Sequence, residues 1–232
     1  WDELGKNGKQ WPVKPDGTPT SPVSHINEYD PDYDPRGVQA WTSLGEAGPA
    51  PVVFAYDPAT NHMPPEPAIF QNPRAYNRRG RVWDWKIQEQ VELGDFPGGL
   101  KDLNTRDPEV RQALIDVFVR WVELTDLDGF RIDTLKHVEH EFWKEFAPAV
   151  RQRLAAKGKH NFFMFGEAFD GNDALLGAYT QGQGVDSVFY FSAKYRIFNG
   201  VFGNGDPTIN VQRLYEERTA EDVPGRPRYS VT

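Results

Sequence analysis

From Asp107 onward apolar residues recur at helical spacing. Val110, Ala113, Leu114, Val117, Phe118, Trp121 and Val122 fall at intervals that keep them on one side of a helix, as expected of a helix laid on a sheet. Asp107 suits its N-cap, Pro108 the first helical position, and Glu109 the positive end of the helix dipole. The period then drops to two. Phe130 and Ile132 alternate with Arg131 and Asp133, which predicts a strand with one apolar and one charged side. Helical spacing returns over 140–157, where Gly158 offers a C-cap and Pro148 predicts a kink or a split. Further along, 161–166 reads as a strand, Asp173 to Thr180 as a short helix and Ser187 to Phe191 as a third strand. Helical stretches near 192–202 and 208–219 follow, and Arg228 to Thr232 opens another buried strand. Strands that alternate with helices imply a parallel sheet of the α/β class.

The first part of the chain, 1–95, has a different texture. It holds most of the 19 prolines, with turn-forming clusters such as Lys14-Pro15-Asp16-Gly17 and Met63-Pro64-Pro65-Glu66-Pro67. Proline and glycine at this density exclude long helices, so a loop-rich domain over 1–95 is expected, with short strands such as Pro51 to Tyr56, followed by the α/β part over 96–232. Asp30, Asp32 and Asp34 have the acid spacing of a calcium loop. Pro35 stands where its glycine belongs and Trp41 where its closing glutamate belongs, so a solvated turn is the better reading. Trp83, Trp85 and Phe96 could stack on sugar rings, although packing inside a loop domain explains them more simply.

Two strand ends carry the chemistry. Arg131 is the same-face neighbour of Asp133, and a guanidinium beside a carboxylate holds it ionised, as a nucleophile or electrostatic stabiliser requires. Glu167 comes after Phe162-Phe163-Met164-Phe165-Gly166, where partial desolvation favours the protonated form needed of a general acid. The spacing between Asp133 and Glu167 matches one strand-helix-strand unit of roughly 30 residues or more. On adjacent parallel strands both carboxyls would leave the same rim, at the separation of about 5 to 5.5 Å that marks a retaining glycosidase.

These residues carry a resemblance. Gly129-Phe130-Arg131-Ile132-Asp133 with Lys136-His137 resembles the motif at the fourth barrel strand of the α-amylase family, glycoside hydrolase family 13. Gly166-Glu167-Ala168-Phe169-Asp170 is similar to that family's fifth-strand motif. Leu100-Lys101-Asp102-Leu103-Asn104 resembles a third, with Lys101 where proline is usual. The resemblance implies a partial (β/α)8 TIM barrel, about strands four to six and the start of seven, preceded by the irregular loop-rich inserted domain. It implies Asp133 as nucleophile, Glu167 as acid and base, and Arg131 as the residue orienting Asp133. Lys136 and His137 would line the subsites for the leaving part of an α-glucan substrate. Asp102 and the main-chain carbonyl of His137 would ligate a structural calcium. His140 and His160 fall to helix surface and turn.

The family's third-strand motif and seventh-strand histidine-aspartate pair are not in this sequence. The chain is therefore expected to be an internal fragment, inactive and poorly soluble alone, of an enzyme that hydrolyses internal α-1,4 bonds with retention. An oligo-1,6-glucosidase, a maltogenic relative and a non-catalytic glucan binder stay open. A magnesium-dependent enolase-like barrel would need further acids at adjacent strand ends, and Tyr190-Phe191-Ser192 supplies none.

Composition agrees with this picture. The 232 residues are 38% hydrophobic and 13% aromatic, enough for a sizeable core. A net charge of −8 argues against nucleic acid as a partner. The chain has no cysteine, and hence no disulfide framework or thiol nucleophile. No apolar run approaches a membrane span and the amino terminus has no signal-peptide pattern; the family is compatible with a secreted or periplasmic setting.

Overall fold

The computed structural model describes Leu4, Gly5, Lys9, Gln10, Trp41, Val52, Ala59 and residues 63–82, 84–96, 100–219 and 230–231. The chain divides into two compact units, Trp1–Leu114 and Ile115–Thr232. The stretches around Asp30 to Asp34, Val53 to Tyr56 and Trp83 lie outside the described residues.

The described part of the first unit has little regular structure, as its proline content predicts. β1 (Leu4–Gly5) pairs antiparallel with β2 (Lys9–Gln10). Short 3-10 turns cover Ala68–Gln71 and Pro73–Ala75, and α1 spans Gln88–Leu93. Single bridges join Tyr76 to Leu103, Arg81 to Asp95 and Phe96 to Leu100. Asp95, 4% exposed, receives Lys101 Nζ at 2.8 Å and the Asp102 amide at 3.1 Å. A buried carboxylate is tolerated when paired in this way. Trp85 meets Phe96 edge to face with centroids 5.7 Å apart, in keeping with packing inside a loop-rich unit.

α2 spans Pro108–Thr125, and the Glu109 amide donates to Asp107 Oδ1 at 2.8 Å, so Asp107 is the expected cap. Its buried positions are Val110, Ile115, Val119 and Val122. The stripe lies partly round the helix from the one the sequence suggests: Phe118 is 39% exposed and Trp121 55%. Periodicity alone left two overlapping apolar stripes, and the β-branched one is the more buried.

The second unit is built on four parallel strands in the order β3 (Gly129–Ile132), β4 (Phe163–Gly166), β5 (Ser187–Phe189) and β6 (Ser230–Val231). Helical segments connect them: α3 (His140–Ala155), α4 (Asp173–Ala178), α5 (Phe191–Ala193) continuing into a π-helix over Lys194–Asn204, and α6 (Ile209–Thr219). The alternation predicted from sequence is present, including β6 near the carboxyl end.

α3 is one helix despite Pro148. A proline in a helix interior removes one hydrogen bond, and the buried face formed by Phe142, Trp143, Phe146, Ala147, Val150 and Leu154 holds the segment together across that gap. It closes as expected at Gly158, φ 89°. The Gly158 amide donates to the Ala155 carbonyl and the Lys159 amide to the Leu154 carbonyl, both at 3.0 Å, the paired bonds of a Schellman cap.

The two sides of the sheet differ. On the helix-covered side Phe130 meets Phe162 at 4.7 Å and Phe118 at 5.5 Å, and Phe118 meets Phe146 at 5.6 Å. The opposite side carries Arg131, Phe163, Phe165 and Phe189, with Phe165 and Phe189 edge to face at 5.3 Å. Gly129 is required by register, because a Cβ there would stand 2.4 Å from the Phe163 carbonyl oxygen.

Candidate active site

Parallel register decides what meets at the rim. Arg131 pairs with Phe165 and Ile132 with Gly166, so the next step along the ladder sets Asp133 beside Glu167. The ladder does run that far: the Glu167 amide donates to the Ile132 carbonyl at 2.7 Å, and the Leu135 amide to the Glu167 carbonyl at 2.9 Å. Gly166 makes room for this crossing. A Cβ on it would lie 2.6 Å from Leu135 Cδ2, and Leu135 is wholly buried.

The side chains at this point converge on one guanidinium. Arg131 Nη1 lies 3.5 Å from Asp133 Oδ2, while Arg131 Nη2 bonds Glu167 Oε2 more closely. The two carboxyls therefore share a rim and lie within the span of a single fork-shaped cation. Sequence reasoning paired Arg131 with Asp133 alone and surrounded Glu167 with apolar groups. The structure gives Arg131 to both and brings it nearer Glu167, because Phe165, Glu167 and Arg131 all project from the same side of adjacent strands, so the apolar setting expected around Glu167 is replaced by an ion pair. Asp133 is the more open of the two, its side chain 68% exposed against 24% for Glu167. Arg131 Cζ also stands 5.8 Å from the Phe189 ring.

Lys136 and His137 lie on a 3-10 turn, Leu135–His137, which follows Thr134 in a left-handed conformation at φ 52°. Lys136 does not hang free. Its Nζ donates to the Phe169 carbonyl at 2.7 Å and lies 3.6 Å from Asp170 Oδ2, tying the turn after β3 to the loop after β4. The His137 amide donates to the Thr134 carbonyl at 2.9 Å. His140 begins α3 and stacks on Tyr179 with centroids 4.1 Å apart; His160 is exposed.

Asp102 Oδ2 accepts from Asn77 Nδ2 at 2.6 Å. Among the described residues no three histidine, aspartate or glutamate side chains gather as a metal site would need. The calcium ligation implied for Asp102 and the main-chain carbonyl of His137 would draw on main-chain and amide oxygens as well as carboxylates; it stays a proposal, and no catalytic step is routed through it.

Several residues of the rim escaped sequence reasoning. Asn172 caps α4, its Oδ1 accepting from the Ala174 amide at 2.9 Å and the Leu175 amide at 3.3 Å; an asparagine ahead of a helical run was the available signal. Asp173, Tyr190 and Ser192 meet partners distant in sequence, and no local pattern announces them.

A sequence profile described as the alpha amylase catalytic domain matches residues 54–210. The chain belongs to the α-amylase family. The alpha-amylase of Streptomyces lividans is 42% identical over 127 residues, which is 54% of this chain and 13% of that protein. The cyclomaltodextrinase of Geobacillus thermopakistaniensis is 29% identical over 145 residues, 58% of this chain and 23% of that protein. A solved alpha-amylase from Geobacillus thermoleovorans, complexed with acarbose, superposes with a TM-score of 0.56 at 27% identity, over 65% of this chain and 33% of that one. The chain thus spans no more than a third of the length of any of these relatives. The family's catalytic domain is a (β/α)8 barrel, and the parallel sheet with its connecting helices is consistent with part of one.

Proposed function

We propose that this chain supplies the nucleophile and the proton donor of a retaining α-glucan hydrolase, with β3, β4 and β5 as the fourth to sixth barrel strands and β6 as the start of the seventh. The observation that carries the reading is the one guanidinium touching both Asp133 and Glu167 at the carboxyl ends of neighbouring parallel strands, the rim where barrel enzymes place their chemistry.

In this reading Asp133 attacks the anomeric carbon from one side of the sugar while Glu167 protonates the departing glycosidic oxygen. A covalent glycosyl-enzyme forms, and Glu167 then takes a proton from the water that releases it, so configuration is retained. Arg131 is a positioning residue. Its planar fork fixes the spacing of the two carboxyls before substrate arrives, and pre-set geometry of this kind lowers the barrier without contact between the guanidinium and the scissile bond. Lys136 and His137 stand just past the nucleophile, where they would face the leaving part of the glucan.

The substrate proposed is an internal α-1,4 bond of a starch-like glucan. The cyclomaltodextrinase relative keeps a maltogenic or cyclodextrin-cleaving specificity as the second reading. The protein as its gene encodes it should be assayed on maltooligosaccharides, cyclomaltodextrin and isomaltose, with acarbose as the trial inhibitor. We expect cleavage of maltooligosaccharides, with the new reducing end released as the α-anomer. Asp133→Asn should fall to background, and Glu167→Gln should lose about 10²- to 10⁴-fold. A slow fluorinated maltosyl fluoride should leave its sugar on the peptide that contains Asp133. An active Asp133→Asn enzyme, or a β-anomer product, would overturn the proposal and leave a glucan-binding relative as the alternative.

A further inference from the structure

The loop after β4 carries Glu167 at its start and is fastened at both ends. On the β3 side, two backbone bonds grip Glu167 and Lys136 Nζ holds the Phe169 carbonyl. The other fastening is polar and partly buried, and it involves none of the residues of the proposed reaction. Asp173 opens α4. One of its carboxylate oxygens, Oδ2, accepts from Tyr190 Oη at 2.9 Å, and the other, Oδ1, accepts from Ser192 Oγ. The same Ser192 hydroxyl lies 3.0 Å from the Gly171 carbonyl. Tyr190 and Ser192 are each only 2% exposed and stand where β5 turns into α5. Gly171 is exposed, although a Cβ on it would stand 3.1 Å from the Tyr195 ring.

Apolar packing could have joined these two turns without direction. A carboxylate fixed by two hydroxyls is directional: each bond sets an angle as well as a distance, and a buried network of this kind is costly when one partner is missing. We propose that Asp173, Tyr190 and Ser192 form a bolt that sets the path of residues 168–172 and, through it, the aim of the Glu167 carboxyl at the leaving oxygen. They are positioning residues for proton transfer. This inference rests on Glu167 being the proton donor.

The test exploits leaving groups. A sugar leaving group needs the proton from Glu167 when the bond breaks, whereas fluoride departs as the anion without it. Tyr190→Phe, Ser192→Ala and the double variant should be compared with the unchanged protein on maltopentaose and on α-maltosyl fluoride. If the bolt aims the acid, kcat/KM on maltopentaose falls by about tenfold or more, since an ångström of misplacement can cost two decades. On the fluoride it changes by less than about threefold. Equal losses on both substrates would assign the three residues to stability alone, and no loss on either would remove the bolt altogether; each result overturns the inference. Asp133→Asn run in parallel separates the two levels. Activity surviving in it overturns the functional reading and this inference with it, whereas its inactivity beside equal losses in the bolt variants overturns this inference alone. Should the double variant not fold, Tyr190→Phe, which removes a single oxygen, is read in the same way.

Discussion

Replacing Arg131 by lysine separates what this side chain does for activity from what it does for stability. The substitution keeps the charge but exchanges a planar fork for a point donor, and a single ammonium cannot reproduce the two directed contacts to Asp133 and Glu167. The stability at stake is small. Arg131 is 48% exposed and Asp133 68%, and ion pairs that see this much solvent contribute about 0 to 1 kcal/mol. In a domain of this size 1 kcal/mol moves Tm by roughly 2 to 4 °C. The kinetic stake is larger. If losing the fork lets the carboxyls drift by about an ångström, kcat/KM falls about a hundredfold, which is about 2.7 kcal/mol of barrier at about 1.36 kcal/mol per decade. The assay is kcat/KM on maltopentaose beside a thermal melt of the same preparation. We expect a loss near two decades with Tm within a few degrees of the parent. An Arg131→Lys enzyme within about threefold of the parent would refute the positioning role. Activity lost only together with a Tm drop above about 10 °C would instead make Arg131 a structural residue.

Three other perturbations test the fold around the rim. Gly166→Ala drives a methyl to 2.6 Å from the buried Leu135 side chain and should cost about 1 to 3 kcal/mol in denaturant unfolding; Leu135→Ala alone should cost about 2 to 5 kcal/mol, the double variant should cost less than the two together, and additive losses would refute the proposed clash. Lys159 is held by Asp126 and Asp128, each at 2.9 Å, and the hydrogen bonds it donates to Asp126 first and Asp128 second raise its pKa above 10.5. A folded pKa above the unfolded one stabilises fully below about pH 10.5 and ceases to do so as pH climbs through the folded value. The Tm gap between parent and Lys159→Met should therefore be constant up to that pH and close above it, and a gap that widens there would reverse the sign. Trp121 and Leu124, 55% and 62% exposed on α2, should be replaceable by glutamine with higher soluble yield of the 232-residue chain and unchanged Tm; a lower Tm would show that the two side chains contribute to packing.

What could be foreseen follows the range of the interaction. Elements fixed by spacing along the chain were legible: the cap at Asp107, the C-cap at Gly158, and the period-two run that puts Arg131 and Asp133 on one face of β3. Even the neighbourhood of Asp133 and Glu167 was within reach, because a strand, a helix and a second parallel strand leave few ways to arrange two strand ends. Choices between physically similar options were not legible. Two apolar stripes overlap on α2, and only the folded structure buries Val119 rather than Trp121. Arg131 has a carboxylate two residues away and another across the ladder, and only the register of Arg131 on Phe165 brings the second within reach. Lys136 looked available for a ligand until the loop after β4 presented the Phe169 carbonyl to it. Sequence motifs mark where chemistry can happen, while the contacts that hold those residues in aim come from strand register and from buried partners such as Tyr190 and Ser192. Variants outside the motifs are therefore the sharper probes of how this site is aimed.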